Sequence, residues 1–219
     1  MAMMTAKKLI DVTQDQERIA AYLAQCRVVS LHENETHVPP TGEETTGLIR
    51  HLRAAGSNPL VIGSVGVLNY LRHVDPKLGF RPTVDLDLWV DSLPESRPHG
   101  WTIDLESIGV PSWVSPSGGH VDFLLPGQDM PSGTKTPSRL DPDPASAGSD
   151  FPVASWTSLL KLKLNSVREK DFADSIALVR AQGYVPTPQE LGKMTRAQRE
   201  NYEMLVQWFN IRPHGNYGE

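Results

Sequence analysis

The sequence predicts an α+β protein in which a small mixed β-sheet is flanked by helices and followed by a helical C-terminal part. Three observations support this fold class. Apolar residues recur at helical spacing in the N-terminal part, short strand-like runs lie between residues 60 and 125, and helical spacing returns after residue 150.

The N-terminal part is predicted to contain two helices. The first covers Thr13–Gln25, with a threonine in the capping position, and the second covers Glu43–Ala55 and stops at Gly56. Between them, the β-like run Arg27–Leu31 predicts a short strand.

The sheet is predicted from short apolar or alternating runs. Leu60–Ile62 is a buried strand, and a Gly-Ser turn leads from it into a helix over Val65–Arg72. In Thr83–Val90 apolar side chains alternate strictly with the others, as in a strand with one buried face. Further strands are predicted at Trp101–Leu105, Ser112–Ser115 and His120–Leu125.

The chain is predicted to have three parts. Residues 1–125 form the core with its N-terminal helices, and residues 151–219 form a helical region. Residues 126–150 are almost all Pro, Gly, Ser, Thr, Asp or Ala, which predicts a flexible or irregular linker or, alternatively, a loop that closes over a site. The helices predicted after this segment are Ala154–Val167, Asp171–Gln182 and Arg196–Phe209.

The composition excludes several classes of protein. The 219 residues carry 21 Lys and Arg against 26 Asp and Glu, and this net charge of −5 argues against non-specific binding of nucleic acid. The one cysteine, Cys26, excludes an internal disulfide and a multi-cysteine zinc site, and it suits a reducing compartment. We expect a cytoplasmic protein, because no apolar run is long enough for a membrane span and the N-terminus does not resemble a secretory signal.

Two carboxylates are predicted to share one face of the strand Thr83–Val90. Asp85 and Asp87 are separated by one residue, so the period-2 geometry of a strand directs both to the same side. Adjacent like charges repel unless a cation lies between them, and aspartate oxygens suit Mg²⁺ or Mn²⁺. The alternative is that both acids lie on the solvent face of a half-exposed strand.

A third carboxylate, Asp122, lies on the predicted strand His120–Leu125. If this strand lies beside Thr83–Val90, three aspartates converge, and such a set suits a two-metal site for phosphoryl displacement. His120 shares the face of Asp122, where it is either a further metal ligand or a hydrogen-bonded surface residue.

Gly63 and Ser64 stand where a short apolar strand meets a helix. Glycine permits close approach of the backbone, serine adds a hydroxyl donor, and a helix N-terminus offers N–H groups and the positive end of the helix dipole. This turn is a candidate phosphate site, with an ordinary turn as the alternative.

Three runs, taken in chain order, resemble the nucleotidyltransferase superfamily that includes DNA polymerase β. They are VIGSVGVLNYL, RPTVDLDLWV and HVDFLL. The superfamily signature is a hydrophobic residue, glycine and glycine or serine before a helix, then Asp-x-Asp or Asp-x-Glu on a strand, and later a third carboxylate. The resemblance covers roughly residues 58–125 and 154–180.

A narrower resemblance is to the AbiEii-type nucleotidyltransferases, the toxins of AbiE-like toxin–antitoxin pairs. It rests on the form Arg81-x-Thr83-x-Asp85-x-Asp87, on a later helix that carries Lys163, and on the segment Arg168–Asp174. The resemblance implies a cognate antitoxin as a partner.

The resemblance implies an enzyme that moves a nucleoside monophosphate from a nucleoside triphosphate such as ATP to a hydroxyl acceptor and releases pyrophosphate. Asp85 and Asp87 are then expected to bind two Mg²⁺ (or Mn²⁺) ions, and Asp122 to act as general base or as a further metal ligand. Gly63 and Ser64 are expected to hold the β- and γ-phosphates. The acceptor is expected to be RNA, a protein side chain or a small molecule.

Three basic residues are candidates for nucleotide binding. Lys163 is predicted on an apolar helix face, where a lysine needs a nearby anion, either a triphosphate or an aspartate in a salt bridge. Lys170 continues the same stripe. Arg81 precedes the acid pair, where it steadies the loop, touches the nucleotide or forms an exposed ion pair.

Two other functions stay open. The first is a catalytically inactive protein of the same fold that binds a nucleotide or a partner. The second is a nuclease or phosphatase that uses the same acids and metals, but a hydrolase needs no triphosphate cradle, so the Gly63-Ser64 turn argues against it.

Overall fold

A computed structural model of the protein describes residues 12–71, 82–105, 107, 109–129, 135–146, 148–166, 168–182 and 186–209. Within these ranges, five strands form one sheet and seven α-helices accompany it. The helices are α1 (Val12–His32), α2 (Gly42–Ala54), α3 (Gly63–Leu71), α4 (Trp156–Leu164), α5 (Glu169–Gln182), α6 (Pro188–Gly192) and α7 (Arg196–Phe209). The strands are β1 (Leu60–Val61), β2 (Leu86–Trp89), β3 (Thr102–Ile103), β4 (Ser112–Val114) and β5 (His120–Leu124).

The sheet is mixed, with strand order β1-β2-β5-β4-β3. Only β2 and β5 pair in parallel, while the other three pairings are antiparallel. The predicted α+β class with a small mixed sheet is therefore confirmed. The strands that carry the predicted Asp87 and Asp122 lie side by side in this parallel pair.

The hydrophobic core holds one face of this parallel pair in place. Leu86 and Leu88 of β2 and Phe123 of β5 are fully buried, and they belong to one apolar cluster with Leu159 of α4 and Leu178 of α5. Because side chains alternate along a strand, residues 87 and 122 point away from this core. Burial of the leucines thus fixes which face the acids occupy.

The strand predicted at Arg27–Leu31 is wrong, because helix α1 continues through it to His32. Ile19, Leu23, Cys26 and Ser30 are buried at helical spacing, whereas Val28 and Leu31 are 68% and 59% exposed. The pattern of burial is therefore helical. The two adjacent valines favour a strand locally, but packing of the helix face overrides that preference.

The segment predicted as a linker, residues 126–150, is irregular but contacts the rest of the protein where it is described. Leu140 is buried, and the Asp143 carboxylate accepts a hydrogen bond of 2.7 Å from the Tyr70 hydroxyl on α3. The Asp150 carboxylate pairs with Arg50 of α2 at 2.7 Å. These contacts tie the segment to the α2 and α3 side of the molecule.

The helices predicted after this segment are present as α4, α5 and α7, with shorter bounds for α4. The sequence analysis missed α6, a helix of five residues. Thr187 and Glu190 form a capping box at its start, a signal that is readable in the sequence. Every helix that the structure describes is too short or too polar to cross a membrane.

Candidate active site

The central feature of the site is the register of β2 and β5. Asp87 and Asp122 are direct partners in this parallel pair, and neighbouring strands lie about 4.8 Å apart. Partners in a parallel pair project to the same side, so the two carboxylates lie next to each other. The expectation that the strands bring these acids together is met, although they are far apart in sequence.

Asp85 completes a group that we call the aspartate cluster: Asp85, Asp87 and Asp122. Asp85 immediately precedes β2, and the Thr83 hydroxyl donates a hydrogen bond of 2.8 Å to its Oδ1. The charge of Asp85 acts on both Asp87 and Asp122, which places all three acids in one electrostatic environment. Thr83 is a positioning residue for Asp85, and it stands in the motif that the sequence analysis quoted.

Gly63 is the first residue of α3 and packs directly against the cluster. A Cβ atom at this position would lie 1.8 Å from Asp87 Oδ2, and the residue has a φ of +61°, so both space and backbone conformation require glycine. The N-terminus of α3 is thus held against the Asp87 carboxylate. Positive potential at a helix N-terminus favours negative charge at this point.

The charge state of the cluster reflects its burial. Burial, then the charges of Asp85 and Asp122, raise the pKa of Asp87 to about 7 against the opposing effect of Lys163. Burial also raises the pKa of Asp122, and the charge of Asp85 adds to this effect. In the absence of a cation, burial and the charge of Asp85 therefore oppose ionisation of Asp87 and Asp122.

Two groups hold Asp122 in place. The Ser112 hydroxyl, on the register partner of Asp122 in β4, donates a short hydrogen bond to Asp122 Oδ1. His120 Nδ1 lies 3.4 Å from the same oxygen. His120 is not the surface residue that one of the sequence interpretations expected, because its side chain is only 8% exposed and its Nε2 lies 2.7 Å from Asp104 Oδ2. The hydrogen bond from Ser112 and the charge of His120 both oppose the rise in the pKa of Asp122.

Lys163 adopts the second of its two predicted environments, a salt bridge. Its ammonium lies 2.9 Å from Asp171 and 2.7 Å from Asp174, both on α5. Burial opposes the charged state, but the two carboxylates raise the pKa of Lys163 overall. Lys163 also acts electrostatically on Asp87, so this ion cluster lies near the aspartate cluster.

The remaining predicted residues occupy different positions. Lys170, near the start of α5, is exposed and also acts electrostatically on Asp87. Ser64 follows Gly63 in the first turn of α3. Arg81 lies outside the described residues, so its interpretation stays a prediction.

The sequence analysis missed three residues beside the site. Ser112 contacts Asp122 from β4, while Asp104 and His37 lie around His120. Pairing of β3, β4 and β5 brings Ser112 and Asp104 to the site, and a contact between Val38 and the start of β5 brings His37 there. Polar residues in a strand or loop carry no distinctive local pattern. Of these three residues, Ser112 is the one whose position could have been predicted, because it starts a predicted strand that is adjacent in sequence to the predicted strand of Asp122.

Neither a protein-family model nor a curated protein matches this sequence. Among solved structures, the chain is similar to the crystal structure of an antigenic nucleotidyltransferase-like protein from Paracoccidioides brasiliensis. The identity is 17%, the match covers 78% of this chain and 90% of that chain, and the TM-score is 0.46. A likeness of this extent assigns neither an activity nor a substrate to the chain.

Proposed function

We propose that this chain is a metal-dependent nucleotidyltransferase that moves a nucleoside monophosphate from a nucleoside triphosphate to a hydroxyl acceptor. The observation that carries the proposal is the convergence of Asp85, Asp87 and Asp122 against the N-terminus of α3 at Gly63. Carboxylates beside a helix N-terminus combine ligands for a hard cation with a place for phosphate.

The donor set of the aspartate cluster fits Mg²⁺ or Mn²⁺. All three side chains offer carboxylate oxygens, the donors that these hard cations prefer. Burial, and after it the charges of the neighbouring acids, raises the pKa of Asp87 and Asp122, so their ionised forms are costly in a metal-free protein, and a bound divalent cation would offset that cost. When bound, such ions neutralise phosphate charge and lower the barrier to phosphoryl displacement.

The chain's own residues have distinct parts in the proposed reaction. The Gly63-Ser64 turn binds the β- and γ-phosphates through the first turn of α3, and exposed Lys170 adds positive charge that acts on Asp87. Lys163 is already paired with two carboxylates, so its burial needs no nucleotide, and we propose that it steadies α4 against α5 and sets the potential at Asp87.

The reaction balances as a single displacement at the α-phosphorus. The acceptor oxygen forms a new bond to that phosphorus, the bond to the oxygen that bridges to the β-phosphate breaks, and pyrophosphate leaves with the electron pair. The acceptor proton passes to Asp122, whose raised pKa makes it a better proton acceptor than an ordinary aspartate. Ser112 and His120 orient this carboxylate.

The test is incubation of the purified chain with each labelled nucleoside triphosphate, Mg²⁺ and total cellular RNA. We expect label in a macromolecule together with released pyrophosphate, and loss of both in Asp87→Asn. Asp129→Asn is the matched control, because that carboxylate is 85% exposed and its ion pair among the described residues is with surface Lys135. Phosphate release without pyrophosphate would identify a hydrolase, and Mg²⁺-dependent nucleotide binding without transfer would identify the inactive binding protein.

The toxin role is a separate part of the proposal and rests on the AbiEii-type motif at residues 81–87 and the Lys163 and Arg168–Asp174 segment. On this proposal the acceptor is RNA and a cognate antitoxin restrains the enzyme. Induced expression of the chain should stop growth of a bacterial host, while Asp87→Asn at equal protein level should not. Normal growth with active nucleotide transfer would reject the toxin role and leave the enzyme proposal intact.

A further inference from the structure

A second group of ligand-type side chains lies next to the aspartate cluster, and we call it the histidine cluster: His37, Asp104 and His120. One ligand atom from each lies within 4.8 Å of the others. His120 Nε2 is 2.7 Å from Asp104 Oδ2, and the ring centroids of His37 and His120 are 4.2 Å apart. Nothing in the proposed transfer reaction uses His37 or Asp104.

The backbone fixes the three members of this cluster from three separate elements. The His120 N–H donates a hydrogen bond of 2.8 Å to the Val38 carbonyl, which ties the loop that carries His37 to the start of β5. The Asp104 N–H donates to the Ser112 carbonyl at 2.9 Å, just after β3. The ladder of β3, β4 and β5 therefore holds Asp104 near His120, and the Val38 hydrogen bond holds the loop of His37 beside them before any ligand arrives.

The chemistry of this donor set differs from that of the aspartate cluster. Imidazole nitrogens favour borderline transition cations such as Zn²⁺ and Co²⁺, whereas Mg²⁺ prefers oxygen. Two imidazoles and one carboxylate, with a fourth position for water, is the ligand composition of an open zinc site. Two neighbouring sites would therefore select different cations.

His120 also has the outer partner that metal-binding histidines have. Its Nδ1 faces Asp122 Oδ1 at 3.4 Å, while its Nε2 faces Asp104. A carboxylate on the second nitrogen orients the ring and fixes which nitrogen is free to bind a cation. We propose that His37, Asp104 and His120 bind one Zn²⁺-type transition cation, and that Asp122 links this site to the aspartate cluster.

Binding requires a modest adjustment of the cluster. With metal–ligand bonds of about 2.0–2.1 Å in a tetrahedral site, ligand atoms lie roughly 3.3 Å apart. A separation at the upper bound of 4.8 Å must therefore shorten by about 1.5 Å, and the 2.7 Å pair of His120 Nε2 and Asp104 Oδ2 must lengthen slightly. His37 and Asp104 both lie outside the regular strands, in the loop before α2 and just after β3, where such a movement does not disturb the ladder. His120 stays fixed on β5.

The experiment is a titration of the metal-free full chain with Co²⁺ in the presence of excess Mg²⁺, followed by visible absorption. We expect one Co²⁺ per chain with the intense visible bands of a four-coordinate ion, and displacement by one equivalent of Zn²⁺. His37→Ala and Asp104→Asn should each weaken binding roughly tenfold or more. No stoichiometric Co²⁺ binding by the wild-type chain overturns the proposal.

Two controls separate this site from the rest of the molecule and from the proposed transferase. His99→Ala, which removes an exposed histidine, and Asp87→Asn, which breaks the aspartate cluster, should both keep wild-type Co²⁺ affinity. Loss of binding in Asp87→Asn with retention in His37→Ala would assign the ion to the aspartates instead. Circular dichroism reports the fold of each variant. If His37→Ala misfolds, the Co²⁺ affinity of Asp104→Asn, which keeps the shape of the side chain, tests whether the histidine cluster binds the ion.

Discussion

Gly63 lies so close to Asp87 that a Cβ atom at position 63 would come within 1.8 Å of the Asp87 Oδ2 atom. No side chain other than hydrogen fits this gap without moving the carboxylate. The start of α3 and the end of the Asp-x-Asp motif are therefore one structural unit, although more than twenty residues separate them in the chain.

We expect Gly63→Ala to disrupt the aspartate cluster. The new methyl group clashes with Asp87, and the φ of +61° is strained for alanine, which itself costs on the order of 1–2 kcal/mol. Mg²⁺ binding measured by calorimetry should be lost or weakened at least tenfold, together with any nucleotide transfer.

Gly47→Ala is the matched control for this substitution. Gly47 lies in α2, nothing stands within 4 Å of its Cβ position, and alanine favours a helix over glycine by up to about 1 kcal/mol. This variant should be as stable as the wild type or more so, with unchanged Mg²⁺ affinity. Equal Mg²⁺ affinity in Gly63→Ala and Gly47→Ala would contradict a functional contact at Gly63.

Asp87→Asn is expected to stabilise the metal-free protein relative to the wild type, and to do so more at pH 8 than at pH 5. Burial and neighbouring carboxylates raise the pKa of Asp87 to about 7 from an ordinary value of 3.8. An acid whose folded-state pKa is raised stabilises the fold below its unfolded pKa, and this contribution is lost as the pH rises through about 7. The asparagine removes the charge that is costly at pH 8.

Thermal unfolding with a chelator present measures this effect, and each kcal/mol corresponds to about 2–4 °C in a chain of this size. Mg²⁺ should raise the midpoint of the wild type at pH 8 and leave that of Asp87→Asn unchanged. Asp129→Asn should follow the wild type throughout. A variant less stable than the wild type at both pH values would mean that Asp87 is a structural acid.

Much of the aspartate cluster was predictable from local sequence, and its surroundings were not. Alternation in β2 and β5 assigns Asp87 and Asp122 to one face, because the period of a strand is a local property, whereas Asp85 lies just before β2. The partners of Asp122 depend on which strands pair and in what register, and Asp104 reaches His120 through that pairing. His37 reaches His120 through the contact of its loop with the start of β5.

The other predictions that were wrong or undecided also depended on packing between distant parts of the chain. The run from Arg27 to Leu31 looks like a strand in isolation, but contacts of the α1 face with the rest of the core make it helical. The sequence also left the anion beside Lys163 undecided, since a triphosphate and an aspartate satisfy a buried ammonium equally well. Packing of α4 against α5 supplies Asp171 and Asp174.

Ser112→Ala is expected to raise the pKa of Asp122 further. The Ser112 hydroxyl donates to the Asp122 carboxylate and favours its ionised form, in opposition to burial. Carbon-13 NMR titration of the Asp122 carboxyl measures the change directly and needs no enzyme assay. In an active enzyme, the acidic limb of the pH–rate profile should move to higher pH by the same amount.

Ser107→Ala provides the control, because the Ser107 hydroxyl lies 2.7 Å from the Ser112 hydroxyl and donates to the Val110 carbonyl, so it is one step removed from Asp122. It should shift the titration of Asp122 less than Ser112→Ala does. An unchanged Asp122 titration in Ser112→Ala would show that the hydrogen bond does not orient or tune this carboxylate.

Asp171→Asn is expected to destabilise the protein in a pH-dependent way. Burial alone would raise the pKa of Asp171, but Lys163 and the hydrogen bonds to this carboxylate lower it to about 2 from an ordinary value of 3.8. A carboxylate with a lowered pKa stabilises the fold above its unfolded pKa, and that contribution is lost as the pH falls through about 2. The shift corresponds to about 2 kcal/mol at neutral pH.

Urea unfolding of the wild type and Asp171→Asn at a series of pH values tests this expectation. The difference in the free energy of unfolding should be about 2 kcal/mol at pH 6 and should shrink as the pH falls from about 4 toward 2. Asp129→Asn, which alters only an exposed ion pair, should show no such difference. A difference that stays constant with pH would mean that Asp171 acts through packing, because only an ionised carboxylate pairs with Lys163.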